Sequence, residues 1–398
     1  MHAFAGRGFQ DLRDVTVWVE KGKKVRALSG NANSYASAAQ VDAFVASPKA
    51  RSSSYAPEIF IDTVLDKDNG IGQYARIESI NMPRLAEAQA FCQRNKLFMD
   101  GAIIDPQSWR EFWAQASAFS LLELATIGGQ TTLVPSVPAD GNGRILSDRP
   151  LPISTLFNQG NILEGSYKEE FVDYGASTQD VIVTAIYRDS ESDEYFPRNE
   201  SVTLRLKSAN EALCIRETLD LSQFVTTRNQ AVYVARLMCL MRNLSRKAYE
   251  LQTLPSEASI APGSYVYIDI GQESWDDLHT GSILAGGELN LPIGGELPEK
   301  AGGSLYDFFL YNGKQNTFNK QNVLVRNGIA DSLAKYEGYL FAVGRKSSKL
   351  SKRSARVIDV EMNEEGIVTV KAVEHPTDNN GISLIAKRIG DASQFVEE

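Results

Sequence analysis

Few residues of this chain have the types and spacing that acid–base catalysis requires. The chain contains three histidines, His2, His279 and His375. A general base must reach the proton that it removes, and we expect all three histidines at the surface rather than in a cleft. Adjacent acids such as Asp276 and Asp277 could flank a glycosidic bond, but such pairs are common on solvated faces. The sequence therefore predicts no catalytic residue.

Metal and cofactor motifs are also missing from the sequence. The chain contains three scattered cysteines, Cys92, Cys214 and Cys239. Zinc sites need four ligands with short spacings, so we expect free thiols in a reducing compartment. The stretch 66–70 has the acidic start of a calcium loop, but Ile71 and Ile77 occupy the positions that require Gly and Glu. No phosphate-binding, dinucleotide-binding or G-x-S-x-G motif occurs, and neither a metal nor a cofactor is expected.

Composition narrows the class of protein. The 398 residues are 43% hydrophobic and 23% charged, which suits packed cores in about two to three domains. The formal net charge of −9 disfavours gripping DNA, because that depends on Lys and Arg displacing counterions. The opening residues lack the apolar core of a secretory signal, and no apolar run approaches the ~18 residues of a membrane helix. We therefore expect synthesis in the cytoplasm.

The first segment of the chain predicts a hairpin. Val15, Val17 and Val19 alternate with other residues, and a turn leads into a second strand that ends at Leu28. Because a two-stranded hairpin is only marginally stable in water, we expect its partner strands to come from later in the chain or from another subunit.

Capping residues predict two helices in the next part of the chain. Asn81 begins one helix, which we expect to end near Asn95. Ser108 begins a second helix through a capping-box pattern, and Gly128-Gly129 are expected to end it.

Later residues favour strands. Alternating apolar residues predict antiparallel sheet over residues 165–207. Ala261-Pro262-Gly263-Ser264 predicts a tight turn before a strand at 265–270, and residues 356–373 predict a hairpin that turns at 363–366. The expected fold class is therefore α+β and multidomain, with antiparallel β-sheets, β-barrel-like domains and a few packed helices.

Residues 276–353 differ in character from the rest. Glycine pairs recur there, and an aromatic cluster follows them, which includes Tyr306, Phe308, Phe309 and Tyr311. A long glycine-rich stretch is more often a functional loop or insertion than regular core, and this is what we expect here. The basic run at 345–356 is expected to be a solvated loop.

Two motifs in the centre of the chain resemble those of one family. Residues 227–231 read Thr-Arg-Asn-Gln-Ala at the start of the strongest predicted helix, and Pro262-Gly263 lead into a strand. This order resembles the central region of the tip-attachment (host-specificity) proteins of long-tailed phages, lambda type, where a T-S-R-x-Q-A helix start is followed by P-G-D-x-V. Thr227 stands at the family's serine and Ser264 at its aspartate. Residues 56–59 and the helix from Ser108 also agree in order.

The resemblance implies a non-enzymatic structural subunit of a tail tip or baseplate hub. Such proteins form a homotrimeric ring that caps or extends the tail tube, anchors neighbouring tip, distal-tail and tail-tube proteins, and lets DNA pass as cargo. The location implied is the virion tail tip, with indirect contact to the host envelope. The residues that carry the family motif would be structural; they are Thr227, Arg228, Gln230, Pro262 and Gly263.

The resemblance also divides the chain into segments. These are residues 1–54, a hairpin and linker completing a hub sheet; 55–165, an α+β hub domain; 166–275 with 354–375, a β-rich hub domain with one long helix; 276–353, the insertion; and 376–398, a polar C-terminal tail. In the insertion, we expect the four aromatic residues to contact a neighbouring tip protein.

Two other functions stay open at this point. A tail-associated glycan or cell-wall hydrolase would need a carboxylate pair or metal ligands around a cleft. A receptor- or carbohydrate-binding module would use exposed aromatics at 306–318 to stack on sugar rings.

Overall fold

A computed structural model of the chain describes residues 23–47, 51–101, 108–172, 180–189, 198–255, 260–269, 279–291, 297, 301–312, 317–344 and 353–397. Its α-helices are α1 (Ala38–Ala46), α2 (Ala56–Leu65), α3 (Met82–Asn95), α4 (Trp109–Ala116), α5 (Arg228–Leu244) and α6 (Leu384–Ile389).

The strands follow in chain order. They are β1 (Lys24–Val25), β2 (Arg51–Ser52), β3 (Leu122–Ile127), β4 (Gln130–Pro135), β5 (Ile153–Asn158), β6 (Lys168–Phe171), β7 (Val181–Arg188), β8 (Asn199–Leu206), β9 (Ile215–Asp220), β10 (Lys247–Thr253), β11 (Tyr265–Asp269), β12 (His279–Ile283), β13 (Leu289–Asn290), β14 (Ser304–Asn312), β15 (Thr317–Val325), β16 (Leu340–Gly344), β17 (Arg353–Met362), β18 (Val368–Glu374) and β19 (Phe395–Glu397).

These strands form three larger sheets and two short ladders. The sheet orders are β5-β11-β17-β18-β10-β6, β13-β12-β16-β14-β15 and β19-β8-β7-β9, and β1-β2 and β3-β4 pair separately. Pairing is antiparallel except between β5 and β11 and between β7 and β9. The predicted α+β class is confirmed. The barrel-like closure is not, because no sheet in the described ranges closes on itself.

The largest core lies between the helices and the four-stranded sheet. The α5 helix buries Ala231, Ala235 and Leu240 there, and it packs against β7 and β8. An apolar face of α5 therefore meets a sheet face, as the periodicity requires.

The predicted helix from Asn81 is confirmed as α3. The Asn81 side chain accepts a hydrogen bond from the Arg84 N–H at 3.2 Å and caps the helix.

The helix predicted from Ser108 to Gly128 is wrong in its second half. The α4 helix ends at Ala116, and Leu121, at a positive φ of 55°, ends the short 3₁₀ turn after it. Residues 122–135 instead form the β3-β4 hairpin, in which Ile127 pairs with Gln130. Gly128 and Gly129 are the two-residue turn, with φ of +57° and +78°, values that a type I′ turn demands.

Only the second half of the predicted N-terminal hairpin lies among the residues that the structure describes. Residues 15–22 lie outside the described ranges. Lys24 and Val25, from its second half, pair with Ser52 and Arg51. A later part of the chain thus supplies the partner strand for this short segment.

The six-stranded sheet contains the predicted closing hairpin. The β17 and β18 strands pair in antiparallel fashion, with a bulge at Ile358. The turn at 363–366 is confirmed by a hydrogen bond from Gly366 N–H to Asn363 O at 3.0 Å. The β11 strand lies between β17 and the parallel strand β5, so segments far apart in sequence build this sheet.

The prediction of a loop for 276–353 is wrong for the described residues of that segment. Residues 279–344 contribute the five strands of a separate sheet, with its own core of side chains such as Phe308, Val323 and Phe341. The sheet is tied to the six-stranded one by Asn158, whose side-chain amide donates to Gly281 O at 3.1 Å and Phe341 O at 3.3 Å.

The C-terminal residues are packed, which corrects the prediction of a polar tail. The α6 helix buries Ile385 and Ile389 and lies against α5. Phe395 is buried, and β19 pairs with β8 in the register Phe395 to Leu206. The apolar side chains of this segment explain the packing, because they recur with the spacing of one buried helical face.

Replacing Lys96 with glycine should stabilise the protein. Lys96 ends α3 in the left-handed conformation, at φ 54° and ψ 48°, where a side chain is disfavoured and glycine is usual. We expect Lys96→Gly to raise the free energy of unfolding by about 0.5–1 kcal/mol, measured by urea denaturation. Lys96→Ala is the control, since it removes the same side chain but keeps the Cβ; an equal gain in both variants would contradict this explanation.

Candidate functional site

The first motif residues lie at the start of α5. Thr227 precedes the helix, and its carbonyl accepts the first helical hydrogen bond, from Ala231 N–H at 3.1 Å. Arg228 is exposed and forms an ion pair with Glu397 of β19. The N-terminus of the helix therefore contacts the C-terminal segment of the chain.

Gln230 is the buried member of this motif. Its side-chain oxygen accepts from Phe98 N–H at 2.8 Å, and its amide donates to Phe98 O at 2.6 Å and Phe119 O at 2.8 Å. One side chain thus satisfies three backbone groups from two other segments. Buried backbone groups without partners destabilise a fold, so this glutamine fastens α5 to the segments that follow α3 and α4.

The second motif forms the predicted turn before β11. The Ser264 N–H donates to Ala261 O at 2.9 Å, and the Gly263 N–H donates to Val357 O at 2.8 Å. Gly263 has a φ of +87°, and a Cβ there would lie 3.3 Å from a methyl carbon of Val134. The turn therefore needs glycine for its backbone conformation, and it lies close against the β3-β4 hairpin.

Arg356 lies beneath this turn and joins the six-stranded sheet to the hairpin. It is only 3% exposed. Its guanidinium donates to a carboxylate oxygen of Glu123 at 2.6 Å and to Pro135 O at 3.0 Å. Burial by itself would lower the pKa of Arg356, but the neighbouring Glu123 carboxylate raises it above its usual value. A charge-assisted pair therefore holds the two elements together.

His375 extends the same junction toward the C-terminal segment, and the prediction that it is exposed is wrong. It is 3% exposed, and a ring nitrogen lies 2.7 Å from the Ser383 hydroxyl. Its ring contacts Tyr265 edge-on, with centroids 4.9 Å apart. Burial, helped by the nearby Arg356 charge, lowers the pKa of His375 to about 3.

A serine 2.7 Å from a histidine has the geometry of a nucleophile and its base. Here both side chains are buried, and the Ser383 hydroxyl also accepts from Ala386 N–H at 3.0 Å as the N-cap of α6. The contacts of this pair therefore fix the start of α6 rather than present a nucleophile to a cleft.

The burial of His375 makes stability depend on pH. The pKa of His375 in the folded protein, about 3, lies below the ordinary value near 6.5, so the unfolded chain binds the extra proton. The contribution of His375 to the free energy of unfolding is complete above pH 6.5, and it is lost progressively as the pH drops from there toward 3. We expect a loss of about 2 kcal/mol between pH 7 and pH 5, measured by urea denaturation at each pH. His375→Gln should flatten this dependence; an unchanged slope would contradict the assignment.

The four aromatic side chains predicted to form an interface are buried or half-buried within the chain. Tyr306 and Phe308 belong to the core of the five-stranded sheet, and Tyr311 lies in a cluster between that sheet and the six-stranded one, with Tyr265 and Tyr267. Phe309 is half-buried beneath Lys320. Alternation along β14 places these side chains on both faces of the strand, so packing inside the chain replaces the expected contact with a neighbour.

The remaining predicted residues occupy ordinary positions. Asp66 accepts from the N–H groups of Asp68 and Asn69, as in a turn, and forms an ion pair with Lys23. Within the described ranges, no group of three or more His, Cys, Asp or Glu side chains could hold a metal ion. His2 and the acids at 276–277 lie outside those ranges. No helix in them has the length and apolar run that crossing a bilayer requires.

Sequence reasoning missed the junction of Arg356, Glu123, Tyr265 and His375. The sequence prediction places Arg356 in a basic run, although its two neighbours, Ala355 and Val357, are apolar. An arginine flanked by apolar residues in a predicted strand is the signal that could have indicated a buried ion pair.

No protein-family model matches the sequence, and a comparison with curated proteins also finds no match. Among solved structures, a chain in the virion of a native gene transfer agent particle is similar, with a TM-score of 0.29 and 13% identity. The match covers 61% of this chain and 36% of that one. A likeness of this size carries no argument about function.

Proposed function

We propose that this chain is a structural subunit of a phage tail tip. It would form part of the hub ring that caps or extends the tail tube, anchors neighbouring tip proteins and lets DNA pass. The observation that carries the proposal is the order of the motifs at 56–59, 227–231 and 262–266, with the helix that follows Ser108 between the first two, which resembles the order in tip-attachment proteins.

The positions of the motif residues support a mechanical role. Gln230 fastens α5 to two other segments through three hydrogen bonds. Gly263 lets the turn before β11 lie against Val134 of the β3-β4 hairpin. Motif residues that join elements in this way suit a subunit that must bear load, since rigid joints transmit strain.

The charge of the chain is compatible with a DNA path. A formal net charge of −9 gives DNA phosphates no strong attraction to the surface. DNA would therefore pass such a subunit without being held by it.

We further propose that the chain has no catalytic activity of its own. The Ser383 and His375 pair is buried and engaged in packing. The partners proposed are two further copies of this chain in a ring, together with tail-tube, distal-tail and other tip proteins.

The mass of the purified chain in solution tests the ring. We expect a particle of about three times the 43.8 kDa of one chain, alone or with a tip protein, and threefold rings in negative-stain images. A stable monomer that binds no tail protein would contradict the proposal. Release of sugars from cell-wall glycan by the same preparation would favour a hydrolase instead.

A further inference from the structure

The β15 strand presents an open edge. It is the outer strand of its sheet and pairs over nine residues with β14 in an unbroken register. In the described part of the chain, no strand pairs with its other side. Natural edge strands are usually short, bulged or interrupted by proline or several charges. From Thr317 to Val325 the only charged residue is Lys320, and there is no proline.

An apolar pair lies beside this edge. Leu305 on β14 and Leu324 on β15 are direct cross-strand partners, and they are 61% and 38% exposed. Lys320, further along β15, covers the ring of Phe309. The face next to the open edge is therefore apolar at one end, and near its middle it carries Lys320, which also pairs with the Asp307 carboxylate of β14 at 2.8 Å.

We propose that β15 is the docking strand for a second copy of this chain. The two β15 strands would pair in antiparallel fashion about a two-fold axis at Gln321 and join two five-stranded sheets into one. Half of the backbone N–H and C=O groups of residues 319–323, the segment centred on Gln321, would then gain partners, as in other cases of strand addition.

The sequence of β15 selects this register. Side chains must stay on the same face across the pair, so the axis must pass through a residue. An axis at Gln321 sets Leu324 opposite Phe318 of the second copy and Lys320 opposite Asn322. An axis at Lys320 would set Phe318 opposite Asn322, which removes the apolar contact with Leu324. An axis at Asn322 would set Leu324 opposite Lys320, so that the apolar side chains would not meet.

This contact is additional to the proposed hub ring. A two-fold axis relates two copies head to head, whereas a threefold ring needs a different surface of each subunit. The pairing of β15 would therefore link two rings, or two free chains, and it stands or falls independently of the tail-tip assignment.

Disulfide trapping tests the register directly. In a full-length Cys214→Ser background, the remaining cysteines Cys92 and Cys239 are buried. With Gln321→Cys, the two copies of residue 321 would lie roughly 4.5–5.5 Å apart between Cα atoms, within reach of a disulfide. We expect a covalent dimer under mild oxidation, on a non-reducing gel.

Asn319→Cys is the matched control on the same face and strand. Its two copies would be separated by roughly four residues of strand, about 14 Å, beyond the reach of a disulfide. Equal cross-linking at both positions, or none at 321, would overturn the proposal. In sedimentation, Leu324→Lys should weaken dimer formation at least tenfold without altering a threefold ring; an unchanged dimer would also overturn it.

Discussion

Replacing Gln230 with alanine is expected to destabilise the protein by about 3 kcal/mol, because buried polar groups that lose their partners cost about 1–3 kcal/mol each. The affected groups are Phe98 N–H, Phe98 O and Phe119 O, all of which this side chain satisfies. The Ala variant cannot fill the gap, and water would replace the lost bonds only in part. The shift in the urea unfolding midpoint measures the effect.

A second glutamine provides the control. Gln223 is exposed a few residues before α5, and Gln223→Ala should change stability by less than about 0.5 kcal/mol, as surface substitutions usually do. Gln230→Glu should destabilise at pH 7 at least as much as Gln230→Ala, because a carboxylate would face two carbonyl oxygens. Similar losses at positions 223 and 230 would mean that the network is not what fastens α5.

Replacing Arg356 with alanine is expected to cost about 2–4 kcal/mol, somewhat less than breaking a fully buried ion pair, because the Glu123 carboxylate that is left unpaired is 36% exposed. The change leaves Pro135 O without its donor and Glu123 without its counter-ion. It also creates a cavity beneath the Gly263 turn. Urea denaturation measures the loss, and limited proteolysis shows whether the β3-β4 hairpin detaches first.

Two further variants separate charge from volume at this position. Arg356→Met keeps most of the volume, and we expect it to recover about half of the loss, since buried pairs are often replaceable by apolar side chains. Arg84→Ala removes an exposed pair with Glu87 on α3, which should matter by less than about 0.5 kcal/mol. A loss at Arg84 equal to that at Arg356 would contradict a special role for the junction.

Sequence reasoning succeeded where structure depends on neighbouring residues. The cap at Asn81, the turn at Pro262-Gly263 and the hairpin at 356–373 are local features, and each occurs as expected. Gly128-Gly129 were local as well, but both a helix end and a hairpin turn use such glycines. The choice between them depended on whether residues 122–127 could pair with 130–135.

The candidate junction could not be predicted because its partners are distant in sequence. Arg356 meets Glu123, 233 residues away, and no local pattern relates the two. His375 has Ser383 close by in sequence, yet its burial depends on packing against Tyr265. For the same reason the aromatics at 306–311 were expected at a surface, whereas a strand alternating between two packed faces buries most of them.

The segment that forms the five-stranded sheet is connected to the rest of the chain at two neighbouring positions of the six-stranded sheet. Ile268 at the end of β11 and Arg353 at the start of β17 are direct cross-strand partners, so the chain departs and returns at adjacent positions. The entropic cost of closing a long chain segment between two paired strands grows only slowly with the length of the segment. The register between β11 and β17 would therefore stay the same if this segment were shortened. Residues 270–352 are therefore an insertion between two paired strands of the six-stranded sheet, and a change in the length of this segment need not alter the pairing of β11 with β17.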